Sequence, residues 1–161
     1  MIGIYFSQLA PQAIGLAIWS LALAIFRFYL PELSFTVVSG AARRLPVAAM
    51  TLVLANLSLA GLPLLASFPV DVALWTSLSQ RSFSVALLSL LGCAGVMIAG
   101  LRSLATLVAG PEESPWSLSE SQPQVILLLA GVGLLIFVGL FPQLYMPFLT
   151  NMAIIFTSPA P

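Results

Sequence analysis

The stretch LAGLPLLASFPVD, residues 59–71, lies inside a long apolar segment and ends on an acidic residue. Gly61, Pro63 and Pro69 oppose a continuous helix, because proline removes a backbone donor and glycine weakens a helix interior. A carboxylate such as Asp71 is costly at membrane depth and typically marks an ion or proton path. An interrupted helix beside it exposes backbone groups to such a site. The stretch therefore predicts a discontinuous helix with an ionisable group at its break.

The composition is typical of a helical integral membrane protein. Of the 161 residues, 60% are hydrophobic and 6% are charged, whereas a soluble domain carries about 25% charged residues. The apolar runs are long and rich in leucine and alanine, and they do not alternate as the strands of a membrane barrel do. We therefore predict a single all-α transmembrane domain, a polytopic helical bundle, over residues 1–161.

The absence of certain residue types and motifs argues against several classes of function. The net charge is zero and no basic patch exists, so nucleic acid is not an expected partner. The sequence has no histidine, and Cys93 is its single cysteine, so we expect no metal ion and no cofactor. Because no catalytic triad or phosphate-binding glycine loop is present, we expect no catalysis on an organic substrate by this chain alone.

The apolar runs predict about four membrane spans. A helical span needs about 20 apolar residues, and runs at about 4–29, 47–79, 83–108 and 124–140 meet this need. The second run would measure about 50 Å as one straight helix, which is too long for one span and too short for two. We therefore predict that it forms one span made of two half-helices. Pro11 is expected in the first turns of the first helix, where its missing N–H is harmless.

The arginines predict the orientation of the spans. Arg27, Arg43, Arg44 and Arg102 fall toward the two polar connections, and Arg81 alone falls toward the other side. By the positive-inside rule, the connections are expected to be cytoplasmic, or in the equivalent compartment, with both termini outside. We expect the acidic residues of the second connection to be exposed to water: Glu112, Glu113 and Glu120.

Four polar residues are candidates for a proton path: Asp71, Arg102, Asn56 and Ser58. Asp71 is either a proton-exchanging carboxylate or only a charge at the start of a half-helix. We favour the first, since a helix start does not require a charge at membrane depth. For Arg102, we favour snorkelling to the membrane interface over a role as counter-ion or relay partner. Asn56 and Ser58 either line a hydrated path or bond between helices.

Three short motifs carry a family resemblance. They are ARRLP at 42–46, LSLAGLP at 57–63 with a following Ser67-Phe68, and GLFPQ at 139–143. Together they resemble the antiporter-like subunits of respiratory complex I, the N-, M- and L-type subunits, and the related Mrp antiporters and membrane-bound hydrogenases. In that family a lysine or glutamate follows the corresponding Gly-Phe by three positions.

The resemblance places Asp71 at the position of the family's functional residue, where an acid is similar to the M-type choice. Arg102 falls where N-type subunits often carry a Leu-Arg. The chain departs from the family pattern in having Leu64 for proline, Ser67 for glycine, and aspartate for lysine or glutamate at position 71.

The resemblance implies that the spans are the last four helices of a fourteen-helix subunit. The expected function is that of a membrane subunit of a complex I-like NAD(P)H- or ferredoxin:quinone oxidoreductase, contributing part of a proton-translocation module without catalysis of its own. The expected partners are lipid and other membrane subunits, one of which supplies the missing antiporter helices, with quinone bound only elsewhere in the complex.

The expected location is a bacterial plasma membrane, or a thylakoid or inner organellar membrane, with several spans. Two alternatives remain open. One is an accessory structural subunit that has lost transport. The other is a small independent transporter that oligomerises.

Overall fold

The computed structural model describes residues 2–30, 32, 34–109, 119–145, 147 and 148, and their side chains except those of residues 2–7, 35 and 36. Within these ranges the regular structure is helical throughout, which confirms the predicted all-α class. The elements are α1 (Ile2–Tyr29), α2 (Phe35–Val38), a 3₁₀ turn (Ala41–Arg43), α3 (Pro46–Leu59), α4 (Phe68–Arg81), α5 (Phe83–Val108) and α6 (Gln122–Leu140).

Three helical segments are long and apolar enough to cross a membrane, namely Gln8–Tyr29, Phe83–Val108 and Gln122–Leu140. Their length and composition are those of a membrane protein. Helix α3 is also apolar, but it has 14 residues, or about 21 Å at 1.5 Å per residue. Helix α4 has the same length and is more polar toward its end, where the sequence runs Ser-Gln-Arg.

The helices pack around α3, which contacts α1, α5 and α6, while α4 packs against α1 and α5. Much of the core consists of alanine, including Ala22 on α1 and Ala48 and Ala49 on α3. Small side chains let helix backbones approach closely, which favours packing in an apolar medium. Phe26 and Leu45 fill the space beside these alanines and are fully buried.

The ends of the two polar connections meet at one end of the bundle, called here the loop end. The N–H of Gly40 donates to the carbonyl of Thr106 at 3.2 Å, and the N–H of Ser119 donates to the carbonyl of Arg44 at 3.0 Å. These bonds bring together the start of α3, the end of α5 and the start of α6. The connections therefore lie together as predicted, and their cytoplasmic location stays a prediction.

Helix α6 begins at the loop end with a capping box, in which Ser121 and Gln124 satisfy each other's backbone N–H groups. The hydroxyl of Tyr29 donates to Oε1 of Gln124 at 2.9 Å. This bond attaches the last residue of α1 to the first turn of α6.

The position of Pro11 differs from the prediction. Helix α1 begins at Ile2, so Pro11 lies inside the helix and is fully buried. A proline there removes the hydrogen bond that would run to the carbonyl four residues earlier. Burial of Pro11 against the neighbouring helices offsets the lost hydrogen bond. Local helix signals in the sequence contain no information on this packing.

The prediction that Glu120 is exposed to water is wrong. Glu120 is 9% exposed. Its carboxylate accepts hydrogen bonds from the backbone N–H of Ala48 at 2.7 Å and of Val47 at 3.3 Å. These donors belong to the first turn of α3, whose N-cap residue, Leu45, offers no capping side chain. Glu120 supplies the missing cap from a distant part of the chain. The other two acids, Glu112 and Glu113, lie outside the described residues.

The Glu120→Ala variant should be less stable than the parent chain by about 1–3 kcal/mol, because two N–H groups of α3 lose a charged acceptor. The measurement is thermal unfolding in detergent, followed by circular dichroism. Gln122→Ala is the matched control, since Gln122 is exposed in the same segment. Equal unfolding temperatures for the two variants would contradict the capping role.

Candidate functional site

A compact turn separates α3 from α4. Helix α3 ends with Ala60 as C-cap and Gly61 in the left-handed region, with φ of 76°. The N–H of Gly61 donates to the carbonyl of Ser58 at 3.1 Å, and the N–H of Leu62 donates to the carbonyl of Leu57 at 3.0 Å. This pair of bonds is a Schellman motif, which closes a helix by satisfying its last carbonyl groups.

The rest of the connection is held against α6. Leu64 also has a positive φ, of 74°, although it is not a glycine, and such a backbone requires support from its surroundings. The support comes from Gly139 of α6, where a side chain would collide with the carbonyl of Leu64 and the backbone of Leu65. Gly139 therefore permits α6 to contact the backbone of the break directly.

The three residues predicted to break the helix occupy different positions. Gly61 ends α3, and Pro63 lies exposed in the connection. Pro69 lies in the first turn of α4, where proline is compatible with a helix start because its N–H would have no intrahelical partner. The interruption is therefore produced by the residues up to Ser67, and Pro69 begins the next helix.

Asp71 lies in the first turn of α4 and is 4% exposed. Its Oδ1 accepts a hydrogen bond from Nε2 of Gln8, on α1, at 2.9 Å. Its Oδ2 lies against Gly61, where a Cβ atom would stand only 2.6 Å away. The carboxylate is therefore enclosed by α1 on one side and by the break on the other, and its bond runs to α1 instead of to its own helix.

Three buried hydroxyl groups lie on α3 or at the start of α4. Thr51, Ser58 and Ser67 are each no more than 1% exposed, and their hydroxyl oxygens have no hydrogen-bond partner within the described ranges. Thr51 and Ser58 are seven residues apart and share one face of α3. A buried unpaired hydroxyl costs about 1–3 kcal/mol, so such groups usually bind ordered water.

The backbones of Ser58 and Ser67 bond to residues at the break. The carbonyl of Ser67 accepts the N–H of Asp71 at 3.0 Å, and the carbonyl of Ser58 accepts the N–H of Gly61 at 3.1 Å. Ser58 and Ser67 therefore lie on the two sides of the turn against which the carboxylate packs. The contacts of the carboxylate itself are with Gln8 of α1 and Gly61 of the break.

The other two predicted site residues lie elsewhere. Nδ2 of Asn56 donates to the carbonyl of Val96 at 3.2 Å, and Asn56 packs directly on Gly100, so it bonds between α3 and α5. Arg102 is exposed on α5 and has no ion pair in the described part of the chain. The structure does not bring Arg102 to Asp71, and its snorkelling to the membrane interface stays a prediction.

Gln8, which bonds to Asp71, was not identified from the sequence, and neither were the buried hydroxyls of Thr51 and Ser67. The seven-residue spacing of Thr51 and Ser58 is a signal that could have found Thr51. Gln8 offers no such signal, because its role depends on a contact with a residue 63 positions away. Across the residues described, no group of three histidine, cysteine or acidic side chains could hold a metal ion.

No protein-family model, no curated protein and no solved structure matches this chain.

The Gly61→Ala variant should be strongly destabilised. An alanine is unfavourable at positive φ by about 1–2 kcal/mol, and its Cβ would press on the Asp71 carboxylate. Gly95→Ala is the matched control, because a Cβ there meets nothing within 4 Å and alanine favours the helix. Thermal unfolding in detergent compares the two. If Gly61→Ala unfolds at the temperature of Gly95→Ala, the close packing of Asp71 on the break is wrong.

Proposed function

We propose that this chain is a membrane subunit of a complex I-like NAD(P)H- or ferredoxin:quinone oxidoreductase, where it contributes part of a proton-translocation module. The observation that carries this proposal is the buried Asp71 at the interruption between α3 and α4. An ionisable side chain among apolar helices is by default functional. The interruption also coincides with the sequence motif that resembles the antiporter-like subunits.

We infer that α3 and α4 together form one discontinuous span, which makes four spans in all. Helix α3 starts at the loop end, where α5 finishes, and α4 is joined to the start of α5 through Ser82 alone. Both pack against α5. Their combined length of about 42 Å is close to the 39 Å or so of the 26-residue α5. In this arrangement α3 and α4 together would span the same depth of membrane as α5.

In this proposal Asp71 exchanges protons at Oδ2. Gln8 holds Oδ1, so the second oxygen is the one that faces the break at Gly61. Water bound at the hydroxyls of Ser58 and Ser67 would bring protons to that oxygen, and Thr51 extends the polar line along α3. The absence of a side chain at Gly61 leaves the space that the carboxylate occupies.

The chain supplies one part of a path and depends on neighbours for the rest. Asp71 is the single acid described at the break, and no described cation pairs with it. A second polypeptide would therefore supply the remaining ionisable groups, and electron transfer and quinone binding would take place in other subunits. The surface of α5 fits such an assembly, because only 6% of its most apolar window is buried within this chain.

An accessory structural role is the second candidate. It is favoured by the isolation of Asp71 from Arg102, since a transport path usually contains several ionisable groups. Under this alternative, the bond between Asp71 and Gln8 only attaches α4 to α1.

The Asp71→Asn variant separates these two functions. Asparagine has nearly the same shape and still accepts a bond from Gln8, so the complex should assemble normally. We expect proton pumping to fall several-fold per electron transferred, measured in vesicles from acidification and quinone reduction. Glu32→Gln, at an exposed position, is the control and should pump normally. Unchanged pumping in Asp71→Asn would remove transport from the proposal.

The composition of the native assembly tests the partners. Purification of this chain from its own membrane with a mild detergent should yield a large complex, which contains quinone-reducing subunits and a multi-span subunit with the missing antiporter helices. Mass spectrometry of the complex is the measurement. Recovery of the chain alone, with transport activity after reconstitution, would instead favour the independent transporter.

A further inference from the structure

We propose that Gln8 positions Asp71 through both halves of the proton exchange, because its uncharged amide holds Oδ1 of the acid whether or not Oδ2 carries a proton. This inference rests on the proposed function. It assigns to Gln8 a part in transport beyond the attachment of α4 to α1.

The geometry defines which atoms of the two side chains meet. Nε2 of Gln8 donates to Oδ1 of Asp71 at 2.9 Å. The acid is 4% exposed, so bulk water does not compete for this oxygen. Pro11, one turn further along α1, is fully buried, and its packing holds the helix that carries Gln8. The amide therefore meets the carboxyl group from a fixed side.

The bond between the amide and Oδ1 persists through a change of protonation. When Oδ2 binds a proton, Oδ1 becomes the carbonyl oxygen of a neutral acid and still accepts a hydrogen bond. That bond is weaker than the charge-assisted bond to the carboxylate. Neither state leaves Oδ1 buried without a partner, so the acid can pass between them while its position is kept.

Within the described structure, no positive charge compensates the acid. The sequence has no lysine or histidine, and no arginine bonds to Asp71. Arg81 lies about 15 Å from the acid along α4, and Arg27 lies at the far end of α1. Helices α3 and α6 contain no titratable residue. On α5, the Cys93 thiol interacts electrostatically with Asp71, but an uncharged thiol does not compensate a carboxylate.

An amide suits this position better than a charged or an apolar side chain. A cation in place of Gln8 would shift the protonation equilibrium of the acid toward its charged form by about 10- to 1,000-fold, so the acid would rarely bind a proton. An apolar side chain would leave a buried oxygen without its donor, which is costly. The amide avoids both effects, since it donates a hydrogen bond and carries no net charge.

The Gln8→Lys variant tests this role, because it strengthens the contact and opposes the exchange. The ammonium group pairs with Asp71, so the complex should assemble. We expect the protons pumped per electron, measured in vesicles, to fall by about tenfold or more. Gln80→Lys makes the same substitution at an exposed position near the end of α4, and this control should pump normally. A Gln8 that only attached the two helices would leave pumping normal in both variants.

Infrared difference spectroscopy of the purified full chain, recorded between acidic and alkaline pH, tests the bond itself. The carbonyl stretch of protonated Asp71 is the band that disappears in Asp71→Asn. In Gln8→Leu this band should move to higher frequency, because Oδ1 loses its hydrogen bond. Gln12→Leu, which removes an amide one turn further along α1, is the control and should leave the band in place. Circular dichroism establishes that each variant is folded.

The outcomes separate this inference from the proposed function. Normal pumping in Gln8→Lys, in an assembly where Asp71→Asn lowers pumping, would overturn the role of Gln8 and leave the transport function standing. Normal pumping in Asp71→Asn would overturn the transport function and this role with it. An unmoved carbonyl band in Gln8→Leu would show that the amide does not hold the protonated acid, and it would overturn the inference even where Gln8→Lys fails to assemble.

Discussion

The contact of the Asp71 carboxylate with Gln8 and Gly61 is the constraint on which the centre of this bundle depends. A buried carboxylate is tolerated only where it has hydrogen-bonding or charged company, and here one oxygen binds the Gln8 amide while the other packs on a glycine at positive φ. The contact requires the chain to be interrupted at that point, since a continuous helix could not present a left-handed glycine to the acid. The Schellman motif and the backbone contact with Gly139 of α6 then hold the interruption in place.

The loop end is stabilised by different interactions from those at the break. There the exposed helix termini are satisfied by side chains from distant segments, with Glu120 capping α3 and Gln124 joining α1 to α6 through Tyr29. Polar groups at a helix terminus near a membrane need such partners, because unsatisfied N–H groups are costly away from water. Hydrogen bonds between distant segments therefore hold the loop end together, whereas the break between α3 and α4 contains a buried acid.

Helices formed by uninterrupted apolar runs could be predicted from the sequence. The observed bounds of α5 are those predicted, because an apolar run of 26 residues between polar segments leaves little choice of helix ends. The second run is divided into α3 and α4 in the region predicted from Gly61, Pro63 and Pro69, although Pro69 lies inside α4. That the two helices form one broken span stays a prediction. Glu120 and Gln8 could not be placed in this way, since their partners lie 72 and 63 positions away in the chain. A local pattern contains no information on which helix ends meet, so the contacts that Glu120 and Gln8 make across the bundle were missed.

Ser82 is the whole of the connection between α4 and α5, because α4 ends at Arg81 and α5 begins at Phe83. So short a joint gives the pair little freedom to slide past each other. Of the three helices long enough to cross a membrane, α5 is the least buried inside this chain, and it therefore offers the most surface to a neighbouring subunit of the proposed complex. A tilt imposed on α5 from outside would be carried through Ser82 into α4 and would alter the separation of the acid from its amide partner on α1. Under the proposed function, the joint would give an event in an adjacent subunit a mechanical route to the buried carboxylate without any contact between the two.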